Sequence, residues 1–180
     1  LNLREKISYF VTMHRIVVLG FMGSGKTTIG KQLAEALHIP FLDSDHIIVE
    51  KVGMSINEIF AARGEQAFRR MEEEVIEDLN VLPEFVLAVG GGMPAIPGVM
   101  ERLKQLGTTI YLDVSRQELL RRLLKDRSKR PLLKDKTEIE LKEYIDHLFS
   151  ARQSFYLKAS VVIQNDDLDF QDVLEVLNLR

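Results

Sequence analysis

Short apolar runs rich in β-branched residues alternate with longer segments of helical periodicity from Arg15 onward. Such alternation is typical of βα units arranged around a buried parallel sheet. Each apolar run is bounded by Gly, Pro, Asp or the start of a helical segment. The pattern predicts five short strands in one sheet, at Arg15–Leu19, Pro40–Leu42, Glu84–Val89, Thr108–Leu112 and Ser160–Ile163.

Helices are predicted between these strands. In the segment Lys26–His38, Ile29, Leu33 and Leu37 recur every four residues and form an apolar stripe that can pack on the sheet. Three later helices are predicted to start at capping boxes, in which a Ser or Thr and a Glu three residues later satisfy unpaired amides. These boxes are Ser55 with Glu58, Ser115 with Glu118, and Thr137 with Glu140.

The segment Gly64–Asn80 is strongly charged, yet it places apolar residues at helical spacing. These residues are Phe68, Met71, Val75 and Leu79. The spacing predicts a surface helix beside the sheet, at the border of a ligand site.

Composition narrows the class of protein. Of the 180 residues 46% are hydrophobic, and 24 Lys and Arg against 27 Asp and Glu give a formal net charge of -3. The apolar content excludes collagen-like and disordered chains, and the charge balance argues against an electrostatic nucleic-acid binder. Cysteine is absent and the longest apolar runs are strand-sized. We expect a cytoplasmic protein that binds neither membranes nor nucleic acid.

One motif dominates the candidate chemistry. Residues 20–27 read GFMGSGKT, matching the phosphate-binding loop G-x-x-x-x-G-K-[ST], and lie between a predicted strand and a predicted helix. Backbone amides of such a loop curl around phosphate oxygens, Lys26 can reach the terminal phosphates, and Thr27 can offer its hydroxyl to Mg²⁺. The nucleotide contacts are predicted at Gly23, Ser24, Gly25, Lys26, Thr27 and Thr28. The motif alone does not separate a kinase from a GTPase, an ATPase or an inert binder.

Two carboxylates follow the second predicted strand. P-loop proteins usually place an Asp at the end of a neighbouring strand to hold the metal, directly or through water. Here the run Gly90-Gly91-Gly92 follows the third strand, whereas Asp43-Ser44-Asp45 follows the second. One carboxylate can face the metal and the other a substrate hydroxyl. The alternative is that a member of this trio caps the next helix, and both interpretations can hold for different residues.

Ordered blocks along nearly the whole chain from Met13 resemble the successive motifs of shikimate kinases. The blocks are GFMGSGKTTIGKQLA, FLDSDHIIVE, GMSINEIF, GEQAFRRMEEE, VLAVGGG, TTIYLDVS, KRPLL and ARQSFY. The resemblance implies a three-layer α/β/α P-loop fold with a five-stranded parallel sheet, a mobile lid and a helical substrate-binding segment. It also implies transfer of the ATP γ-phosphoryl group to the 3-hydroxyl of shikimate, with Mg²⁺ as cofactor, in aromatic amino acid biosynthesis.

The resemblance also implies roles for individual residues. Asp43 resembles the carboxylate on the magnesium side of the site, where Thr27 is the second metal-binding residue. Asp45 resembles the carboxylate that contacts substrate hydroxyls. Arg130, before Pro131-Leu132-Leu133, resembles the lid arginine that reaches the phosphates. Catalysis is thereby assigned to Lys26, Asp45 and Arg130.

The substrate side of the resemblance rests on two arginines and three glycines. Arg69 and Arg152 resemble the residues that bind the shikimate carboxylate, and Gly90, Gly91 and Gly92 resemble its backbone contact. The planar fork of arginine suits a carboxylate better than the point charge of lysine does. As alternatives, Arg69 pairs with Glu72 or Glu73 on a surface helix, and the glycine run is a turn.

The segment Arg121–Lys136 holds eight basic and two acidic residues, a local charge of +6 in an acidic chain. A lid over ATP phosphates explains this asymmetry. The alternatives are a solvated loop and an RNA-contacting strip, and the strip lacks aromatic residues to stack bases.

We expect residues 1–12 to be an N-terminal extension and residues 13–180 to form a single monomeric domain. Within it, the substrate-binding segment covers about 45–80 and the lid about 125–137. Two rival functions stay open: a kinase for another small polyol acid, such as gluconate, and a nucleotide-binding regulator that has lost phosphoryl transfer. The arginine pair together with the glycine block 90–92 argues against the first rival. The arginine pair also argues against the second, because a nucleotide binder has no need of substrate-binding arginines.

Overall fold

The computed structural model describes residues 14–126, 133–134, 136–167 and 169–177. Five strands form one sheet: β1 (Arg15–Leu19), β2 (Phe41–Asp43), β3 (Phe85–Ala88), β4 (Thr108–Asp113) and β5 (Val161–Gln164). Every pairing is parallel, and the strand order is β2-β3-β1-β4-β5. The five predicted strands are thereby confirmed: β1 has the predicted bounds, and the ends of the other strands differ from the prediction by at most one residue.

Helices connect the strands of the described ranges. They are α1 (Lys26–Leu37), α2 (Ser44–Val52), α3 (Ile56–Leu79), α4 (Val99–Leu106), α5 (Arg116–Lys125), α6 (Glu138–Tyr156) and α7 (Phe170–Val176). A short 3₁₀ turn, Met93–Ala95, precedes α4. Within these ranges, no helix combines the length and apolar character needed to cross a membrane.

Helices cover both faces of the sheet, as the resemblance implied. Alternate residues of a strand point to opposite faces, so Ile16 and Val18 of β1 pack in one cluster with residues of α1 and α7. Val17 and Leu19 pack in the other cluster with residues of α3, α4, α5 and α6. All four strand residues are almost completely buried, which explains why β1 is an unbroken apolar run.

Helix α1 begins at Lys26 as predicted and ends one residue early. His38 adopts a left-handed conformation, with φ of 55°, and its amide bonds back to carbonyls of the last helical turn. Helices α3 and α6 begin at complete capping boxes, at Ser55 and Thr137, which confirms those two starts.

The third predicted capping box, at Ser115, is only half formed, because one of its two hydrogen bonds is absent. The Ser115 hydroxyl accepts a bond from the Glu118 amide, but the Glu118 carboxylate binds Arg121 and Arg122. The amide of Ser115 donates to Asp166 instead, at 2.7 Å. Two nearby guanidinium groups compete more strongly for the carboxylate than a single neutral amide does.

The long helix α3 is broken at Gly64, where φ is 77° and ψ is 171°. A side chain rarely adopts this φ, so glycine permits the break. The part after Gly64 follows the predicted pattern, because Phe68, Val75 and Leu79 are buried against the sheet. The exposed residues of this helix are predominantly charged, as predicted for a surface helix.

The carboxyl ends of β1, β2 and β3 meet at one edge of the sheet. The phosphate-binding loop follows β1, Asp43 ends β2, and Gly90 follows β3. Strand order reverses around β1, and ligands of open α/β sheets bind at such a point. The fold therefore gathers the predicted site residues of three separate segments.

Candidate active site

The phosphate-binding loop forms one wall of a cavity of about 460 Å³, the candidate nucleotide cavity. Gly25 caps α1 with φ of 97°, a conformation that a larger residue would adopt only with strain. Lys26 Nζ donates to the carbonyl oxygens of Gly20 and Phe21, at 3.0 Å each. These two carbonyls hold the ammonium group inside the loop, at the place where phosphate oxygens would bind.

The other predicted nucleotide contacts divide into two groups. Gly23, Gly25, Thr27 and Thr28 line the cavity with Lys26. The side chain of Ser24 is instead buried, and no described residue bonds to its hydroxyl. Ser24 can therefore contact a nucleotide only through its backbone.

Asp43 caps the next helix, which was one of the two interpretations, and it also contacts the phosphate-binding loop. One carboxylate oxygen accepts from the Asp45 amide at 3.1 Å and caps α2. The other accepts from the Thr27 hydroxyl at 3.4 Å, in the wall of the nucleotide cavity. The described residues hold no cluster of three or more acidic or histidine ligands, so a metal here would depend on ligands from the nucleotide and water.

Asp45 lies where the nucleotide cavity meets a second cavity of about 840 Å³. Burial raises the pKa of Asp45, the Asp43 charge raises it further, and the charges of Lys26 and Arg69 lower it. The charges of Asp43, Lys26 and Arg69 therefore all act on Asp45 at the place where the two cavities meet.

Ser44, between the two aspartates, has a structural task. Its hydroxyl accepts a bond from the Gly90 amide at 2.9 Å and so joins the end of β2 to the loop after β3. A side chain on Gly90 would lie 2.8 Å from Asp45 and 3.0 Å from Glu72. The glycine is needed for this close approach, which goes beyond the needs of a simple turn.

The second cavity is lined by both polar and apolar groups. The polar ones include Arg69, Arg152, Asp45 and the glycine run 90–92. The apolar ones include Ile56, Phe60, Phe68, Leu133, Tyr144 and Leu148. This arrangement suits a small ring compound that carries hydroxyl groups and a carboxylate.

Arg69 is held by two acidic partners in the structure. Its guanidinium bonds to Glu65 at 2.8 Å and to Glu72 at 2.7 Å. Pairing with Glu72 was one of the expected alternatives, whereas pairing with Glu73 is wrong because Glu73 bonds to Arg102. The same guanidinium lies against Gly92, where a side-chain carbon would be only 2.7 Å away. Ion pairing therefore places Arg69 in the cavity wall.

Glu72 was not predicted as a site residue. It is 1% exposed, and burial raises its pKa to about 7 although Arg69 opposes the rise. Its position gives the signal that could have revealed it, because Glu72 lies on the inward stripe between Phe68 and Val75. A carboxylate on a buried stripe needs a partner, and Arg69 provides one.

Arg122 and Asp126 were also missed, and both line the nucleotide cavity. Arg122 donates to the carbonyl oxygen of Gly23 at 3.3 Å and to that of Asp166. It therefore ties α5 to the phosphate-binding loop. Arg130 and most of the predicted lid lie outside the described residues.

A family model described as "SKI: Shikimate kinase" matches residues 22–179. Among curated proteins, the shikimate kinase of Bacteroides fragilis is 37% identical over 163 residues, which is 91% of each chain. The shikimate kinase of Aquifex aeolicus is 37% identical over 163 residues, covering 91% of this chain and 94% of that one.

Solved structures agree with these sequence matches. The shikimate kinase of Bacteroides thetaiotaomicron superposes with a TM-score of 0.87 at 34% identity, over 92% of this chain and 98% of that one. The shikimate kinase of Acinetobacter baumannii, solved in complex with shikimate, gives 0.82 at 35% identity, over 96% and 95%. Since the family model spans most of the sequence and the relatives match along nearly their full length, the chain belongs to the shikimate kinase family.

Proposed function

We propose that this protein transfers the γ-phosphoryl group of ATP to the 3-hydroxyl of shikimate. The observation that carries the proposal is the junction of the two cavities. Met22, Asp45, Gly90 and Gly91 line both of them. A phosphoryl donor in the first cavity and a carboxylated acceptor in the second would therefore meet beside Asp45, as direct transfer requires.

The residues around the junction divide the work of transfer. Lys26 and the loop amides hold the phosphates, and Arg69 and Arg152, which line the second cavity, bind the carboxylate. Asp45 accepts a hydrogen bond from the attacking hydroxyl and takes its proton as the bond to phosphorus forms. Arg130, which resembles the lid arginine of the family, is assigned to the charge on the transferring group, and it lies outside the described residues.

A magnesium site fits the oxygen atoms at the end of β2. Thr27 and Asp43 present a hydroxyl and a carboxylate to the nucleotide cavity, and Mg²⁺ prefers such hard oxygen ligands. When bound, the ion would neutralise charge on the phosphates. Thr27 and Asp43 would hold it, directly or through water.

Replacing Asp43 with Asn is expected to raise the Mg²⁺ concentration for half-maximal activity roughly tenfold. Asn caps a helix as well as Asp does, so the start of α2 should stay intact while one negative charge is lost. Titrating Mg²⁺ at fixed ATP measures the change. An unaltered Mg²⁺ requirement would remove Asp43 from the metal site.

Replacing Arg69 with Ala is expected to raise the KM for shikimate about tenfold to a hundredfold and to leave the KM for ATP unchanged. The variant removes the bidentate fork from the cavity wall. Arg69→Lys keeps a charge beside the buried Glu72, and we expect it to weaken shikimate binding less.

The matched control for Arg69 is Arg102→Ala. Arg102 also pairs with acidic residues of α3, Glu73 and Glu77, but it lies outside both cavities. Steady-state kinetics with shikimate as the varied substrate compares the variants. Equal shikimate KM values for Arg69→Ala and Arg102→Ala would refute the carboxylate assignment.

The proposed reaction is tested by ADP release from Mg·ATP, with and without shikimate, and with gluconate as a control. We expect release that depends on shikimate, because the two arginines select a rigidly held carboxylate. Stimulation by gluconate alone would favour the rival polyol acid kinase. ATP binding without stimulation by either compound would favour the nucleotide-binding regulator. A monomeric state and a cytoplasmic location stay predictions.

A further inference from the structure

Tyr156 is a buried tyrosine at the end of α6 that joins two parts of the second cavity, which is the acceptor cavity of the proposed reaction. It is fully buried, and its hydroxyl donates a hydrogen bond to the carbonyl oxygen of Gly91. Its ring packs on that of Tyr111 with centroids 5.1 Å apart. Tyr156 ends the ARQSFY block, and no role was predicted for it.

Arg152 lies one helical turn before Tyr156 on α6, so the two side chains are neighbours on the same face of the helix. Burial raises the pKa of Tyr156 to about 12, while the charge of Arg152 and a side-chain hydrogen bond from it act in the opposite direction. The phenol therefore stays protonated at neutral pH. A protonated phenol has one hydrogen to donate and lone pairs to accept with, so it can serve Gly91 and Arg152 together.

The bond to Gly91 fixes the orientation of a peptide group in the cavity wall. In a trans peptide the carbonyl of Gly91 and the amide hydrogen of Gly92 point in opposite directions. Gly91 and Gly92 both line the acceptor cavity, and across the described ranges no protein group accepts from their amides. Tyr156 therefore determines which backbone groups of the glycine run are available to a ligand.

We propose that Tyr156 is a positioning residue, whose hydroxyl sets the relative placement of the Arg152 guanidinium and the Gly91–Gly92 peptide for shikimate. The inference rests on the proposed function, because it assigns a task within the same acceptor cavity. Arg152 comes from α6 and Gly91 from the loop after β3, 61 positions apart in the sequence. A single hydroxyl between them fixes the position of the Arg152 guanidinium relative to the Gly91–Gly92 peptide.

The test is Tyr156→Phe, which removes the hydroxyl and keeps the ring. We expect the KM for shikimate to rise about tenfold, with the KM for ATP unchanged and kcat lowered less than threefold. The matched control is Tyr111→Phe. Tyr111 is equally buried and contacts the same ring, but its hydroxyl bonds to Asp113 at 2.7 Å. We expect Tyr156→Phe and Tyr111→Phe to lower the melting temperature by similar amounts. Only the Tyr111→Phe control is expected to leave the shikimate KM unchanged.

A double-variant cycle separates positioning from general stabilisation. If Tyr156 acts partly through Arg152, then Tyr156→Phe changes shikimate KM less in an Arg152→Ala background than in the unmodified enzyme. Equal effects in both backgrounds would overturn the link to Arg152. An unchanged shikimate KM in Tyr156→Phe would overturn the whole inference.

Failure of the inference is distinguishable from failure of the proposed function. The unmodified enzyme is assayed first, with shikimate as the varied substrate. Absence of shikimate-dependent ADP release there would refute the proposed function before any variant is made. Normal activity of the unmodified enzyme with an unaffected Tyr156→Phe variant would refute only the positioning role.

Discussion

Replacing Lys26 with Ala is expected to lower kcat for phosphoryl transfer about a thousandfold. The transferring group carries its negative charge on three oxygens, and catalysis depends on fixed positive charge beside them. In the structure two loop carbonyls hold the Lys26 ammonium group, at 3.0 Å from each. The charge is thus oriented before a nucleotide binds, and little reorganisation is needed when phosphate arrives.

The measurement for Lys26 is kcat at saturating shikimate, together with ATP affinity by calorimetry. Lys31→Ala is the matched control, because Lys31 lies on the same helix and is exposed near the ring of Phe41, away from the loop. We expect the control to keep full activity. Lys26→Arg should recover little, since a larger planar cation does not fit between the same two carbonyls. A Lys26→Ala enzyme with kcat within tenfold of normal would exclude Lys26 from transfer.

The phosphate-binding loop could be predicted from the sequence because all of its chemistry lies in eight consecutive residues. The preceding apolar run specifies a strand, the following stripe specifies a helix, and the loop between them has little freedom. Asp43 could be placed for the same reason, since parallel strands deliver their carboxyl ends to one edge. A helix cap by a member of the trio 43–45 was foreseen, and Asp43 does cap α2. Its bond from Thr27 was not foreseen, and its metal role stays a prediction.

The acceptor side was harder to predict because its contacts join distant segments. Gly91 and Tyr156 are 65 positions apart, and no local pattern announces their hydrogen bond. The Ser115 amide binds Asp166 across 51 positions, which is why the expected capping box is only half formed. Local propensity predicts where an element starts, whereas competition among distant polar partners decides which hydrogen bonds form.

The sequence predicts which charged residues lie where the two cavities meet, but it does not predict how they shift one another's pKa values. The sequence identified Asp45 and Arg69 as separate candidates, and the structure shows them acting on each other beside the buried Glu72. Burial raises the pKa of both carboxyl groups, and the cations nearby limit the rise. The balance depends on distances through the packed interior, which periodicity does not encode.

Asp45→Asn is expected to lower kcat about a hundredfold to a thousandfold while ATP affinity stays within a factor of about two. Asn has nearly the shape of Asp, so the close packing against Gly90 should survive. It lacks the negative charge that orients the attacking hydroxyl and accepts its proton. The loss should therefore appear in kcat with smaller changes in the shikimate KM.

Two comparisons make the Asp45 prediction specific. Asp78→Asn, on the same substrate-binding segment, removes a charge that bonds to Lys51 outside both cavities, and we expect normal kinetics. Asp43→Asn should regain most of its activity when Mg²⁺ is raised, because it weakens metal binding. Asp45→Asn should not, because its defect lies in orienting the acceptor. If excess Mg²⁺ restored Asp45→Asn as well, the two carboxylates would share the metal, and the division of labour argued from the cavity junction would be wrong.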